Sequence, residues 1–243
     1  MHSAPRAITL DLDDTLWPIA PVIARAEAAL NDWMLVHAPN TAALYPVATM
    51  RSLRDAVALA NPHLAHDFTA QRKLSLARAL ADGGHDPELA EAAFAAFHLA
   101  RNRVELYPDV ERALGRLAAQ TPLAALTNGN ADLMQIGLQH SFVFALGARE
   151  HGSGKPDAGI FRAACMRLNV APHEVLHVGD DPELDVVGAA RAGLRTCWIN
   201  RRNETWTHAD VRPDLVFADL DALADWLDAR RIACTTTRKR STA

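Results

Sequence analysis

A short apolar run, Ala7 to Asp11 (AITLD), reads as a β-strand, and no second strand signal follows until Leu123. In between, from about Pro18 to Leu106, the apolar pattern is helical. Val22, Ala26, Leu30 and Trp33 recur at steps of three and four, as do Met50, Leu53, Val57 and Ala60, then Leu74, Ala77 and Leu80, then Leu89, Ala93, Phe97 and Ala100. Pro39, Pro62 and Pro87 divide the stretch into about four helices. From Tyr107 the pattern changes to regular alternation. Asp109 can N-cap a helix over VERALGRLAAQ, and a strand follows at Leu123–Leu126. Next come a helix over IFRAACMRLNV, a strand VLHV, a helix over DVVGAARAGL, strands TCWIN and LVF, and a helix over Leu220–Arg231. Such alternation predicts an α/β fold with a doubly wound, mainly parallel, Rossmann-like sheet. The helical block then becomes an insertion after the first strand. Residues 1–17 and 107–231 are expected to form one core, residues 18–106 an all-helical cap, and residues 232–243 a disordered tail.

Net charge narrows the partners. At −4 there is no general basic field for nucleic acid, and the one basic cluster is the polar tail TTTRKRSTA. A hydrophobic fraction of 49% and a mean hydropathy of −0.06 are ordinary for a soluble globular chain. No apolar run approaches the ~20 residues that a membrane span needs, and acidic residues begin at Asp11, so no signal core is expected. The three cysteines, Cys165, Cys197 and Cys234, lie far apart, which suits a reducing cytoplasm better than a disulfide framework.

The stretch HEVLHVGDD, His173 to Asp181, poses a choice. His-Glu-x-x-His marks zinc peptidases, but only a helix brings positions i and i+4 onto one metal. Here Val175, Leu176 and Val178 form a β-branched run between Pro172 and Gly179. On a strand, residues four apart are about 13 Å distant at ~3.3 Å per residue, too far for two zinc ligands. The acidic end then needs another explanation.

Open α/β sheets bind ligands at the carboxyl ends of their strands. Three predicted strands end in reactive polar groups: Asp11-Leu12-Asp13-Asp14-Thr15, Thr127-Asn128-Gly129, and Gly179-Asp180-Asp181 with Asp185 a turn later. A fourth group, HGSGKPD, sets Lys155 before a helix that Pro156 can start. Gathering Asp11, Asp13, Asp180 and Asp181 would be costly without a cation, and an all-oxygen carboxylate set suits Mg²⁺. Together with Lys155, the Thr127 hydroxyl and free backbone N–H groups at Asn128 and Gly129, such a site could hold a phosphate. Two aspartates two apart could divide the labour, one attacking phosphorus and the other moving the proton. Asp14, Asp157 and Asp221 read as turn or cap residues.

The order and spacing of these groups resemble the haloacid dehalogenase superfamily over nearly the whole chain. The resemblance implies Asp11 in LDLDDT as nucleophile, Asp13 as general acid/base, and Thr127 and Asn128 in LTNGN on the phosphoryl group. It implies Lys155 in GKPD as the lysine of the third motif, and Asp180 in GDDPELD as an Mg²⁺ ligand. Asp181 would be a further ligand, and Asp185 would support the ligands from behind. The helical insertion falls where this superfamily places its C1 cap.

Within the superfamily, ITLDLDDTL, PVIARAE, LTNGN and VLHVGDD followed by CWI look most like bacterial flavin-pathway phosphatases. Those act on FMN and on 5-amino-6-(5-phospho-D-ribitylamino)uracil, so a small phosphorylated metabolite is the implied partner. Specificity would fall to the cap, with His66, Asp67 and Arg72 in LAHDFTAQRK as candidates. Arg72 could meet a ribityl or phosphate oxygen, and Trp17 beside the first motif could stack on the ring.

The rival readings fit less well. A carbon–halogen hydrolase would not need Asp13 or the acidic fourth motif. A phosphorylatable receiver domain lacks the helical insertion and the late GDD, and a P-loop would need glycine at Arg149 and Ser or Thr at Pro156. A non-catalytic phosphate-binding module would not need both Asp11 and Asp13.

Overall fold

The computed structural model describes residues 4–240. Its six strands are β1 (Ala7–Leu10), β2 (Leu123–Thr127), β3 (Phe144–Gly147), β4 (Val175–Gly179), β5 (Arg195–Ile199) and β6 (Leu215–Phe217), in the spatial order β3-β2-β1-β4-β5-β6. Every neighbouring pair is parallel. Because β1 lies between β2 and β4, the order reverses there. Such a switch point opens a crevice at the carboxyl ends of the strands.

Five helices follow β1: α1 (Ile19–His37), α2 (Pro39–Leu44), α3 (Val47–Ala60), α4 (Phe68–Asp82) and α5 (Ala90–Arg101). Their apolar stripes, among them Ala26, Leu30, Met34, Leu76, Leu80 and Phe97, close on one another in a separate core. Truncating the buried Phe97 to alanine would cost this layer about 3–5 kcal/mol. The core helices are α6 (Val110–Ala118), which leads into β2, then α7 (Leu133–Ile136), α8 (Ala148–His151), α9 (Ala158–Leu168), α10 (Gly188–Arg191) and α11 (Leu220–Arg240).

Residues of α6 and α11 pack with Ile8, Leu10 and Val178 in one cluster, while residues of α9 and α10 pack with Ala7, Leu126 and Val175 in another. The alternation Ala7, Ile8 and Leu126, Leu123 across these clusters is the period-two signature of strands covered on both faces. The α/β, doubly wound parallel core is as the sequence predicts. No helix among the described residues is long and apolar enough to cross a membrane.

Several local expectations change. β3 carried no sequence signal, because FALG is four residues long and sits half-exposed at the sheet edge. The helical insertion has one helix more than expected, the short α2, started by Pro39 at its first position. Asp109 does not cap α6 with its side chain; it accepts instead from Arg201 and from the Leu220 N–H. Pro156 precedes α9 without starting it, and Asp157 is the N-cap. The last helix runs past Arg231 to Arg240, so residues 232–240 are helical where the sequence suggests a disordered tail, and residues 241–243 lie outside the described residues. Cys165 and Cys197 are buried free thiols, and the side chain of Cys234 lies outside the described residues.

Candidate active site

β1 ends at Leu10, and the Asp11 N–H still pairs with the Val178 carbonyl at 2.9 Å, so the Asp11 side chain leaves the sheet at the switch point. Asp180 leaves β4 beside it. Asp11, Asp180 and Asp185 each bring a carboxylate oxygen within 4.8 Å of one another. Lys155 reaches into this group: its ammonium lies 2.5 Å from Asp11 Oδ1 and 2.6 Å from Asp185 Oδ1, and its side chain is only 2% exposed. The Thr15 hydroxyl, fully buried, contacts Asp11 Oδ2 at 3.3 Å and Asp180 Oδ1 at 3.1 Å.

Asp185 arrives by an unusual route. The chain from Pro182 to Val187 forms a π-helical turn where the sequence predicts regular helix. The Asp181 carboxylate caps it, accepting from the Glu183 and Leu184 N–H groups, and the Val186 N–H bonds back to the Asp181 carbonyl. This wide turn aims Asp185 back at the strand end, a common use of π-bulges at functional sites. Gly179 makes room: a Cβ there would overlap the Asp185 carboxylate. Behind it, His177 Nε2 lies 3.1 Å from Asp185 Oδ1 and its Nδ1 2.8 Å from the Thr9 hydroxyl. Asp185 therefore joins the cluster itself, whereas the sequence assigns it a supporting position. Asp181, expected as a ligand, has one oxygen engaged as the cap, and Asp13 lies outside the three-carboxylate group.

Burial and like charge govern the protonation of this group. Asp11 is held well above the ordinary carboxylate range, chiefly by burial, with Lys155 opposing and Asp185 and Asp180 adding to the rise. Asp180 is pushed up to about 7 by burial, Asp185 and Asp14. For Asp185 burial acts upward, but Lys155 and the His177 hydrogen bond outweigh it and keep the acid ionised. Lys155 is raised despite burial, because Asp11 and Asp185 flank it. His177 is lowered by burial, which leaves a neutral ring able to donate to Asp185. A buried set of hard oxygen donors with this much mutual repulsion could hold a metal ion.

The second motif is wired differently from expectation. Thr127 Oγ1 accepts the Gly129 N–H at 2.9 Å, so that N–H is not free. The Asn128 amide is committed to the Lys155 backbone, accepting its N–H at 2.7 Å and donating to its carbonyl at 2.8 Å. Asn128 thus fixes the lysine loop.

Above the cluster a cavity of about 560 Å³ is walled by Asp11, Asp13, Thr127, Asn128, Gly129, Lys155, Asp180, Asp181 and Asp185 from the core. Ile19, Ile23, Arg54, Phe68, Arg72, Phe97 and Arg101 close it from the helical layer. The Arg72 guanidinium lies over the Phe97 ring at 3.6 Å and makes no hydrogen bond or ion pair among the described residues. Burial, reinforced by Arg54, lowers it to about 10. His66 lines an adjoining cavity with Phe68, Asn128 and Lys155. Asp67 N-caps α4 and pairs with Arg149.

Trp17 cannot stack on a ligand ring. It is fully buried in the core, and its indole N–H donates to Asp13 Oδ1 at 2.8 Å. Asp14 sits at φ 58° and accepts the Ile19 N–H, Asp157 caps α9, and Asp221 instead pairs with Arg112 and Arg116. His173 lies exposed in a short turn while His177 is inside β4, so the two histidines serve no common metal.

Arg101 was not singled out from the sequence; Thr15 stood there only within the first motif, and His177 only within the rejected zinc signature. Arg101 Nη2 lies 2.7 Å from both Asp13 oxygens. Thr15 had the clearest signal, four residues after Asp11 in the first motif. Arg101 had none, being one arginine among many on a helix.

The haloacid dehalogenase-like hydrolase family matches residues 5–193. The chain belongs to this family. It is 38% identical over 208 residues to the 5-amino-6-(5-phospho-D-ribitylamino)uracil phosphatase YigB of Escherichia coli (strain K12), covering 82% of this chain and 87% of that protein. It is 41% identical to the phosphoserine phosphatase of Thermus thermophilus over 58% of this chain and 59% of that protein. Among solved structures, a 2-haloacid dehalogenase from Pseudomonas syringae pv. Tomato DC3000 superposes with a TM-score of 0.87 at 38% identity, covering 93% of this chain and 99% of that one. As a member of this family the chain is a hydrolase enzyme.

Proposed function

We propose that this hydrolase is an Mg²⁺-dependent phosphatase of small phosphorylated metabolites that works through an aspartyl-phosphate. The observation that carries the reading is the buried group of Asp11, Asp180 and Asp185 around Lys155 at the floor of a cavity roofed by the inserted helices. Asp11, Asp180 and Asp185 would hold the Mg²⁺ ion, which when bound neutralises charge on the phosphoryl oxygens.

An Asp11 oxygen forms a bond to phosphorus as the ester P–O bond breaks, and Asp13 gives its proton to the departing alkoxide. Water then attacks phosphorus and loses its proton to Asp13, releasing phosphate and restoring Asp11. Lys155 keeps Asp11 in line for attack and offsets the local negative charge. Thr127 and the Asn128–Gly129 backbone border the place of the phosphoryl group. The helical layer acts as a cap that keeps bulk water away.

For the leaving group, the reading favours FMN or 5-amino-6-(5-phospho-D-ribitylamino)uracil. The roof offers Ile19, Ile23 and Phe68 for a flat apolar ring and Arg72 as an unpaired donor for a carbonyl or ribityl oxygen. Likeness to the Escherichia coli phosphatase supports the same choice. The second reading, carbon–halogen hydrolysis, draws on the structural likeness to a haloacid dehalogenase, but it leaves Asp180 and Asp13 without a task.

The test is phosphate release from FMN and a panel of sugar, nucleotide and glycolate phosphates, with Mg²⁺ and with EDTA, beside halide release from 2-chloropropionate. Metal-dependent phosphate release, greatest with FMN, is expected. No turnover of any phosphomonoester would sink the phosphatase, and halide release would replace it.

A further inference from the structure

At the roof of the cavity, α3 supplies Arg54 and Asp55, and α4 supplies Arg72. The Arg72 guanidinium is fixed over the buried Phe97 ring at 3.6 Å, yet none of its nitrogens has a hydrogen-bond or ion-pair partner among the described residues. Those nitrogens are not sealed off: the side chain is only partly buried, and each unpartnered nitrogen keeps contact with solvent. Arg54 is loosely held, donating to the Glu27 carboxylate at 3.5 Å and to Asp55 Oδ1 at 3.3 Å. Glu27 is taken mainly by Arg51, whose Nε lies 2.8 Å from it. The Asp55 side chain is 74% exposed, and its other oxygen has no partner among the described residues.

Two cations facing one space repel: burial, and then the charge of Arg54, lower Arg72 to about 10. A ligand that brings acceptors relieves that repulsion. Asp55 limits which acceptors fit. A second carboxylate or phosphate on the leaving group would suit the guanidinia but meet Asp55 as a like charge. A sugar hydroxyl pairs with either charge, yet leaves Ile19, Ile23 and Phe68 of the same roof without an apolar partner. What satisfies the whole wall is a flat ring whose edge presents two carbonyl oxygens on either side of an N–H. A pyrimidine-2,4-dione has that edge: acceptors for the two guanidinia, a donor for the carboxylate, and faces for the apolar side chains.

Resting on the phosphatase reading, we infer that Arg54, Asp55 and Arg72 form a subsite for the imide edge of a pyrimidine-2,4-dione on the leaving group. FMN and 5-amino-6-(5-phospho-D-ribitylamino)uracil share this edge, and both carry it at the end of the molecule away from the phosphate. With the phosphoryl group at the Asp11 floor, that end points toward the roof, and the ribityl chain common to both spans the cavity between. One set of contacts then accepts a tricyclic flavin and a single uracil ring alike. The Phe97 ring holds the Arg72 donors in place before the ligand arrives, so little ordering is left to binding.

The experiment takes whichever of these two compounds wild type turns over faster with Mg²⁺, beside the same compound methylated at the imide nitrogen. The methyl group removes the donor and crowds both carbonyls, while the phosphate end is untouched. Wild type is expected to show a KM about tenfold higher for the methylated compound, with a smaller change in kcat. Arg72→Ala and Asp55→Ala should each raise KM for the parent compound and bring the ratio of the two KM values close to one. A merely structural defect would raise both values and leave their ratio. Equal KM values for the two compounds in wild type overturn the inference. So does a ratio that survives in either folded variant. Asp55 is exposed, so Asp55→Ala carries the comparison where Arg72→Ala does not fold. An enzyme that hydrolyses other phosphomonoesters but neither parent compound also overturns it. If wild type hydrolyses no phosphomonoester, the phosphatase reading fails by itself. Binding of riboflavin and of 3-methylriboflavin, followed by flavin fluorescence, then decides the subsite, and equal affinity overturns it.

Discussion

Replacing Lys155 with methionine removes one charge and little volume, so its effect isolates the electrostatics of the site. The ammonium stands 2.5 Å from Asp11 and 2.6 Å from Asp185, both essentially buried. At an effective dielectric of about 20, each contact is worth roughly 6 kcal/mol of gross Coulomb attraction, much of it offset by desolvation. Removing one partner of a buried pair typically costs about 3–5 kcal/mol, because the remaining charges stay buried without compensation. That is a large share of the ~5–15 kcal/mol a domain has to lose.

The sign of the pH dependence follows. Asp11 is raised by burial even with Lys155 opposing, and without Lys155 it rises further while Asp185 loses its main lowering charge, so the unfolded chain sheds the Asp11 proton first. Stability of Lys155→Met is then present at low pH and lost as pH rises from ~4 through the raised Asp11 value. Urea unfolding at about pH 5 and about pH 8, with and without Mg²⁺, measures this. The variant should fall further behind wild type at the higher pH, and Mg²⁺ should recover part of the deficit by binding the folded state. A deficit under ~1 kcal/mol, or one that shrinks as pH rises, would refute the reasoning.

Mg²⁺ affinity should rise about tenfold per pH unit below about 7, where Asp180 must give up a proton to bind, and level off above it; a flat calorimetric profile speaks against Asp180 as a ligand. Arg72→Ala should raise KM for FMN roughly tenfold with a smaller effect on kcat, since it removes a binding contact away from the reacting atoms. An unchanged KM excludes Arg72 from substrate recognition. Gly179→Ala forces a methyl into the Asp185 carboxylate and should cost about 1–3 kcal/mol in chemical unfolding along with most activity; full activity would mean that Asp185 can move without consequence.

The core was legible because its signals are periodic or chemical. Covered parallel strands such as AITL and VLHVG are mostly apolar, with Thr9 and His177 satisfying each other, and the acids they deliver stand directly after them. Asp11, Thr127, Lys155 and Asp180 could therefore be placed from order alone. What stayed hidden depends on three-dimensional partners. The sequence set Asp185 behind the ligands rather than among them, since nothing in PELDVV announces a π-helical turn. Trp17 looked available beside the first motif, yet the core claims its ring and Asp13 claims its N–H. Arg101 pairs with a residue 88 positions earlier, a separation that no local pattern encodes. The edge strand β3 was missed because edge strands need little burial and so leave little pattern.

The central claim is that an Asp11 oxygen attacks phosphorus and that water then attacks the same phosphorus. A single turnover of FMN in heavy-oxygen water, followed by mass spectrometry of the released phosphate and of the peptide containing Asp11, tests it directly. The account predicts the heavy oxygen in the phosphate, with none in the Asp11 carboxylate. Heavy oxygen in the Asp11 carboxylate would contradict it, because water would then have attacked the acyl carbon of an aspartyl ester, as carbon–halogen hydrolysis requires.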